Sequence, residues 1–233
     1  MKKIGIIVFA AALVLGLSVA SIFSFGKSSG RLFDFSFNIK GVRGSGKIAS
    51  DTRNVSAFKG VNVGGKFQVE ITAQQDFGVV VEADENLLQY IRTDVKNGVL
   101  HIETDRKIAP SELVHIRVSA PEINALDVSG VASVTVNGIK TDEFSLDSSG
   151  AAKINLSGEA GKITADASGA TKIDAEKLVA GDAVIDASGA SQISINVTGE
   201  LRADASGASK IFYTGTPTNI EKSTSGASRV SPK

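Results

Sequence analysis

The chain alternates between apolar and polar positions over long stretches. In "ADASGATKIDA" (165–175), Ala165, Ala167, Ile173 and Ala175 fall on one side of a period-two pattern, and Asp166, Lys172 and Asp174 fall on the other. Period two predicts strand, so this stretch reads as two short strands flanking a glycine corner, apolar side in and polar side out. The pattern recurs. Ser-Gly pairs stand at 129–130, 149–150, 168–169, 188–189, 206–207 and 225–226, with successive glycines 20, 19, 20, 18 and 19 residues apart. Aligned on the glycine, the column three before it reads Asp127, Asp147, Asp166, Asp186, Asp204 and then Ser223. The column three after it reads Ser133, Lys153, Lys172, Gln192, Lys210 and Arg229, and the next one reads Val134, Ile154, Ile173, Ile193, Ile211 and Val230. About 19 residues is one coil of a β-solenoid, whose coils cannot bury their own inner faces and must stack. At ~4.8 Å per coil, six coils predict a prism roughly 24–29 Å tall with an apolar Ile/Val ladder inside.

The upstream segment fits the same template less regularly. "VNVGGKFQVEI" (61–71) superposes on "LDVSGVASVTV" (126–136) without a gap, placing Gly65 on Gly130 and Val69 on Val134. The interval between those glycines exceeds three coils, so coils here are enlarged or interrupted. "DENLLQYI" (84–91) predicts a short helix with Leu87, Leu88 and Ile91 on one face. "TDVKNGVLHIET" (93–104) predicts a hairpin turning at Asn97-Gly98, and "LVHIRVSAP" (113–121) another alternating strand. The expected organisation is therefore residues 1–25 as leader, 26–49 as linker or loose strand, and 50–233 as one solenoid. Within it, 50–126 forms irregular first coils that cap one end, and 127–233 forms the six regular repeats.

The leader changes the picture of location. Lys2 and Lys3 precede an apolar run from Ile4 that continues to Ala20, and Ser18-Val19-Ala20 offers the small residues a signal peptidase reads. With Ile22, Phe23 and Phe25 the run is also long enough to span a bilayer, so an uncleaved anchor is the alternative. Either way the protein is expected to be exported, to the periplasm, the outer surface or the medium. Its 25 basic and 25 acidic side chains balance, and loss of Lys2 and Lys3 with the leader leaves 23 against 25, a net −2. That balance argues against a nucleic-acid partner. The absence of cysteine excludes disulfides, thiolate metal sites and a lipid-attachment cysteine.

Several fragments look like catalytic signatures and have simpler explanations. Asp166, Ser168 and Gly169 resemble an aspartic-protease triplet, but a residue intervenes between Asp and Ser in every copy. A strand corner wants the positive φ that glycine supplies, and an Asp before it can form an Asx-turn. Stacked serine hydroxyls can bond coil to coil. Carboxylates ~4.8 Å apart repel by about 0.9 kcal/mol per pair in water, so the file Asp127, Asp147, Asp166, Asp186 and Asp204 needs compensation. The basic file Lys153, Lys172 and Lys210 is the expected partner, with bound Ca2+ as the alternative; otherwise no cofactor is expected. "GVRGSGK" (41–47) has phosphate-loop spacing, but Ile48 stands where Ser or Thr would bind Mg2+. His101 and His115 both sit at polar positions of alternating strands and would share a surface metal only if those strands were neighbours. Neither lies beside a candidate nucleophile, so a hydrolytic triad has little to work with.

"DTRNVSAFKGVNVGGKFQVEIT", "VEADENLLQYIRTDVKNGVLHI" and the recurrent D-x-S-G-A/V-x-x-I/V together resemble the autotransporter-adhesin head GIN domain family, over about residues 50–229. The resemblance implies an all-β, right-handed parallel β-helix and an envelope or surface location, and says little about activity. No translocator barrel follows the repeats up to Lys233, so a self-sufficient autotransporter is not expected. The reading is a non-catalytic adhesin-like interaction module that displays polar columns to a glycan or an extracellular or envelope protein. Self-association through open coil ends is the structural alternative, with a homo-oligomer as its consequence. A polysaccharide-acting enzyme would need enlarged loops, which the uniform coils lack.

Overall fold

The computed structural model describes residues 41–233. The expected leader lies outside the described residues, as does the expected linker up to residue 40. Sixteen strands join into one sheet wound as a solenoid, and a separate two-stranded pair joins Val42–Arg43 to Ile108–Ala109. The fold is an all-β solenoid, as the period predicts.

Each regular coil pairs in parallel with the next, with its repeat columns in register. The strand Ser133–Gly150 runs against Lys153–Ala167, matching Val134 to Ile154, Leu146 to Ala165 and Asp147 to Asp166. Lys172–Ala187 continues the stack, followed by Gln192–Val197 and Glu200–Ala205, then Lys210–Gly215 and Asn219–Thr224, then Arg229–Pro232. The predicted apolar ladder is continuous: Val69, Val134, Ile154, Ile173, Ile193 and Ile211 are all buried, and Val230 packs partly against them. Burial follows the alternation, with Ala165, Ala167, Ile173 and Ala175 inside and Asp166, Lys172 and Asp174 exposed. The inner column before the corner shrinks from Val128 to Ala167, Ala187 and Ala205, all buried.

The upstream coils do not stack in chain order. Gly60–Gly65 pairs on one side with Ala125–Gly130, matching Gly65 to Gly130, and on the other with Val99–Thr104. Gln68–Ala73 likewise lies between the start of Ser133–Gly150 and His115–Ala120. The long interval between the two glycines is thus an excursion: residues 74–124 leave the stack, build one more coil beyond the first, and return. Antiparallel strands then close that end. Ile91–Lys96 folds back on Val99–Thr104 through the predicted hairpin, whose Asn97 and Gly98 have φ of 52° and 76°. Gly78–Asp84 runs antiparallel to His115–Ala120, and Ile48–Arg53 antiparallel to Gly78–Asp84. These strands cover a parallel edge that would otherwise offer unpaired backbone groups. The predicted helix at 84–91 is only a single 3-10 turn, Leu88–Tyr90, flanked by buried Leu87 and Ile91. Its three apolar residues anchor a bend, and the strand beginning at Ile91 leaves no room for a second helical turn.

Candidate functional site

The corner is built by glycine and cannot easily be built otherwise. Gly130, Gly150, Gly169, Gly189, Gly207 and Gly226 all have φ between 72° and 102°. A Cβ on Gly169 would lie 2.5 Å from the carbonyl oxygen of Gly150 in the coil beneath, and each later corner repeats the contact. The residue after each glycine donates its N–H to that same carbonyl: Ala170 to Gly150 and Ala190 to Gly169, both at 2.8 Å. Inside the corner, the hydroxyls of Ser191 and Ser228 donate to the carbonyls of Ser188 and Ser225, at 3.0 and 2.8 Å. Ser228 also donates to the carbonyl of Ala205 in the preceding coil at 2.8 Å. Coil-to-coil hydroxyl bonding is therefore present at Ser228 and, at 3.5 Å, at Ser191, whereas the buried hydroxyl of Ser209 at the same position has no partner among the described residues.

Just before the corner, the outward Asp and Ser columns line a groove of about 430 Å3 running across the coils. Asp127, Asp147, Asp166, Asp186 and Asp204 stand in register along it, bounded by Ser149, Ser168, Ser188 and Ser206, over a floor that includes Ala167, Ala187 and Ala205. The file continues beyond the repeats. Asn62 pairs in register with Asp127 and donates its amide to that carboxylate at 2.7 Å, and His101 stands next in line beside Asn62. At the far end Ser223 takes the place of Asp. Burial pushes the carboxyl of Asp166 upward, and the like charges of Asp186 and Asp147 on either side push it further.

Two expected compensations do not form. Among the described residues no Asp of the file accepts an Asx-turn bond; Asp127 has Asn62 and Asp204 has Arg202 at 3.5 Å. Nor does the basic file pair with it. Lys153, Lys172, Lys210 and Arg229 stand in register on the face beyond the corner, exposed, with no ion-pair partner among the described residues. The two histidines are not neighbours either: His101 belongs to the acidic file, and His115 to the row that continues through Gln68 and Ser133 into the lysines. No group of three or more His, Asp or Glu side chains suited to a metal ion occurs among the described residues.

The glycine-rich "GVRGSGK" does cradle an anion, and the anion is the protein's own. Asp84 is fully buried and accepts the N–H of Gly46 at 2.7 Å and both the N–H and the hydroxyl of Ser111, at 2.9 and 2.6 Å. A Cβ on Gly44 would sit 2.2 Å from that carboxylate. Burial alone would raise this carboxyl, but the bonds from Ser111 and Gly46 outweigh it and hold it below its ordinary value. The adjacent Asn86 accepts the N–H of Ser45 and donates to the carbonyl of Arg43. Sequence reading missed this clamp; its one signal was an acid ending the apolar strand "GVVVEAD".

Several solved structures of bacterial proteins resemble this fold. A putative adhesin from Bacteroides fragilis superposes with a TM-score of 0.68 at 22% identity, covering 83% of this chain and all of its own. A putative adhesin from Parabacteroides merdae gives 0.53 at 17% identity, and a putative lipid binding protein from Parabacteroides distasonis 0.51 at 19%, each covering 83% of this chain and 99% or more of its own. At these identities the likeness concerns the fold. No curated protein matches. The family model described as "Putative auto-transporter adhesin, head GIN domain" matches residues 57–217, spanning the capped first coils and the repeats together, and the chain belongs to that family.

Proposed function

We propose that the chain is a non-catalytic, adhesin-like interaction module, exported to the cell envelope, whose contact surface is the acidic groove beside the Ser-Gly corner. The observation that carries this reading is the in-register run of five aspartates and their companion serines along one groove. A rigid stack holds these groups at fixed spacing, so a partner with a matching repeat gains many weak contacts without ordering the module. The uniform coils support a non-catalytic role, as do the histidines, which stand on different faces. Family membership supports a place outside the cytoplasm.

The test is retention of cells displaying the full chain on immobilised glycans, matrix proteins and the chain itself. Wild type is expected to be held by at least one class of surface, and D147N/D166N/D186N to lose that retention. Equal retention of both would remove the groove from the function.

A further inference from the structure

The two faces that flank the corner are complementary to each other. Every regular coil places an acceptor three residues before its glycine and a donor three after it: Asp147 with Lys153, Asp166 with Lys172, Asp186 with Gln192, Asp204 with Lys210. The end coils keep the rule with neutral groups, Asp127 with Ser133 and Ser223 with Arg229. Both files share one pitch because they lie on the same paired coils. Yet within the chain they do not meet, and the lysines have no ion-pair partner among the described residues. Between the files runs the residue after each glycine, Ala151, Ala170, Ala190 and Ala208, every one exposed, with Val131 at the first corner 56% exposed.

A surface with an acceptor row on one side of an edge and a donor row on the other is matched by its own copy under one operation. A two-fold axis parallel to the solenoid turns a second corner to face the first. The acidic file of each copy then lies opposite the basic file of the other, coil for coil, and both contacts form at once. Running the copies antiparallel would instead set acid against acid. The parallel arrangement has a narrow apolar centre of alanines and a charged rim, the usual distribution in a protein contact.

We propose that the partner of the corner groove is a second copy of this chain, in a parallel corner-to-corner dimer pairing Asp147, Asp166 and Asp204 of each copy with Lys153, Lys172 and Lys210 of the other. This rests on the groove being a contact surface and names what it contacts. The contact weakens with salt, since its pairs lie at the rim.

The chain has no cysteine, so one introduced thiol reports unambiguously. In the exported full chain, A170C lies beside the two-fold and should form a disulfide-linked dimer on non-reducing gels. E159C, exposed and away from the corner, should not. In the A170C background, K153E/K172E/K210E should abolish the cross-link, because acid then faces acid. D147K/D166K/D204K should also abolish it, and co-producing the two variants should restore a mixed dimer. That restoration separates a lost contact from a lost fold. Absence of an A170C cross-link above that of E159C would overturn the proposal, as would a cross-link that survives either reversal. If the cross-link is absent while D147N/D166N/D186N still loses retention on another surface, the groove is a contact site with a different partner; if retention is also unchanged, both readings fall.

Discussion

Replacing Gly169 by alanine tests the corner as the element that sets coil spacing. Two costs arise there and can be separated. The first is conformational: Gly169 has φ of +86°, where an L side chain costs about 1–2 kcal/mol. The second is the stack. The new Cβ would lie 2.5 Å from the Gly150 carbonyl oxygen, roughly 0.8–1 Å inside a relaxed C···O contact. The coils must part, and two 2.8 Å bonds across that gap stretch, Ala170 N–H to Gly150 and Ser168 N–H to Ser148. At about 1 kcal/mol for each bond, the total comes to about 3–4 kcal/mol. Gly98 is the control, with a similar φ of +76° and nothing within 4 Å of its added Cβ. G98A should lose the conformational part alone. In thermal unfolding followed by far-UV circular dichroism, G169A should fall by about 6–16 °C and G98A by about 2–8 °C. Hydrogen exchange should speed up at the Ala170 and Ser168 amides in G169A only. Equal melting of the two variants, or unchanged protection at Ala170, would refute the stacked-carbonyl argument and leave the glycine as a turn residue.

Other perturbations follow from the two shifted carboxyls. D84A strands the N–H and hydroxyl of Ser111 and the N–H of Gly46, and should cost about 2–4 kcal/mol at neutral pH. Because the folded carboxyl of Asp84 is depressed, its stabilisation is complete above the unfolded value of about 3.9 and disappears as pH falls through the folded value. The gap between wild type and D84A in denaturant unfolding should therefore narrow in acid, and a gap that stays constant would remove the charge from the account. Asp166 has the opposite sign: its folded carboxyl is raised, so it destabilises above that value and the penalty vanishes below the unfolded one. D166N should be slightly more stable than wild type at neutral pH, by under about 1 kcal/mol for so exposed a group. Salt should shrink the gain, and a loss of stability in D166N would mean the file is compensated in the isolated chain.

The repeat period made the regular coils legible, because a short period with one glycine per coil leaves few other ways to bury Ile154, Ile173 and Ile193 together. Asn97-Gly98 was legible for a local reason: two positive-φ residues in sequence specify a tight hairpin whatever surrounds it. The order of the first coils was not. The gapless match of 61–71 to 126–136 shows that the two segments share a shape, and says nothing of what lies between them in space. Deciding that residues 74–124 form an excursion requires knowing that Gly78–Asp84 pairs antiparallel, and "GVVVEAD" alternates identically in either direction. The short helix failed for the same kind of reason. Leu87, Leu88 and Ile91 satisfy a helical spacing, but they also satisfy a bend that simply buries two of them.

The site was legible as columns and illegible as contacts. Sequence period fixes which residues share a column, and so places Asp147, Asp166 and Asp186 in one file. It does not fix whether two files can touch, which depends on where the corner lies between them. Asp166 and Lys172 are six residues apart, as close as many ion pairs, yet the Ser-Gly corner puts them on different faces. The acidic file has one cation of its own, Arg202 beside Asp204, and the chain tolerates the rest at a small cost seen at Asp166, whose carboxyl is raised first by burial and then by its acidic neighbours. Setting five acidic positions in register, with an unpaired basic file one corner away, makes little sense for an isolated molecule, in which a neutral Ser or Asn would fill the same positions. It makes sense if the two files are completed from outside, and the surface with the right pitch, sign and hand is the one the protein already carries.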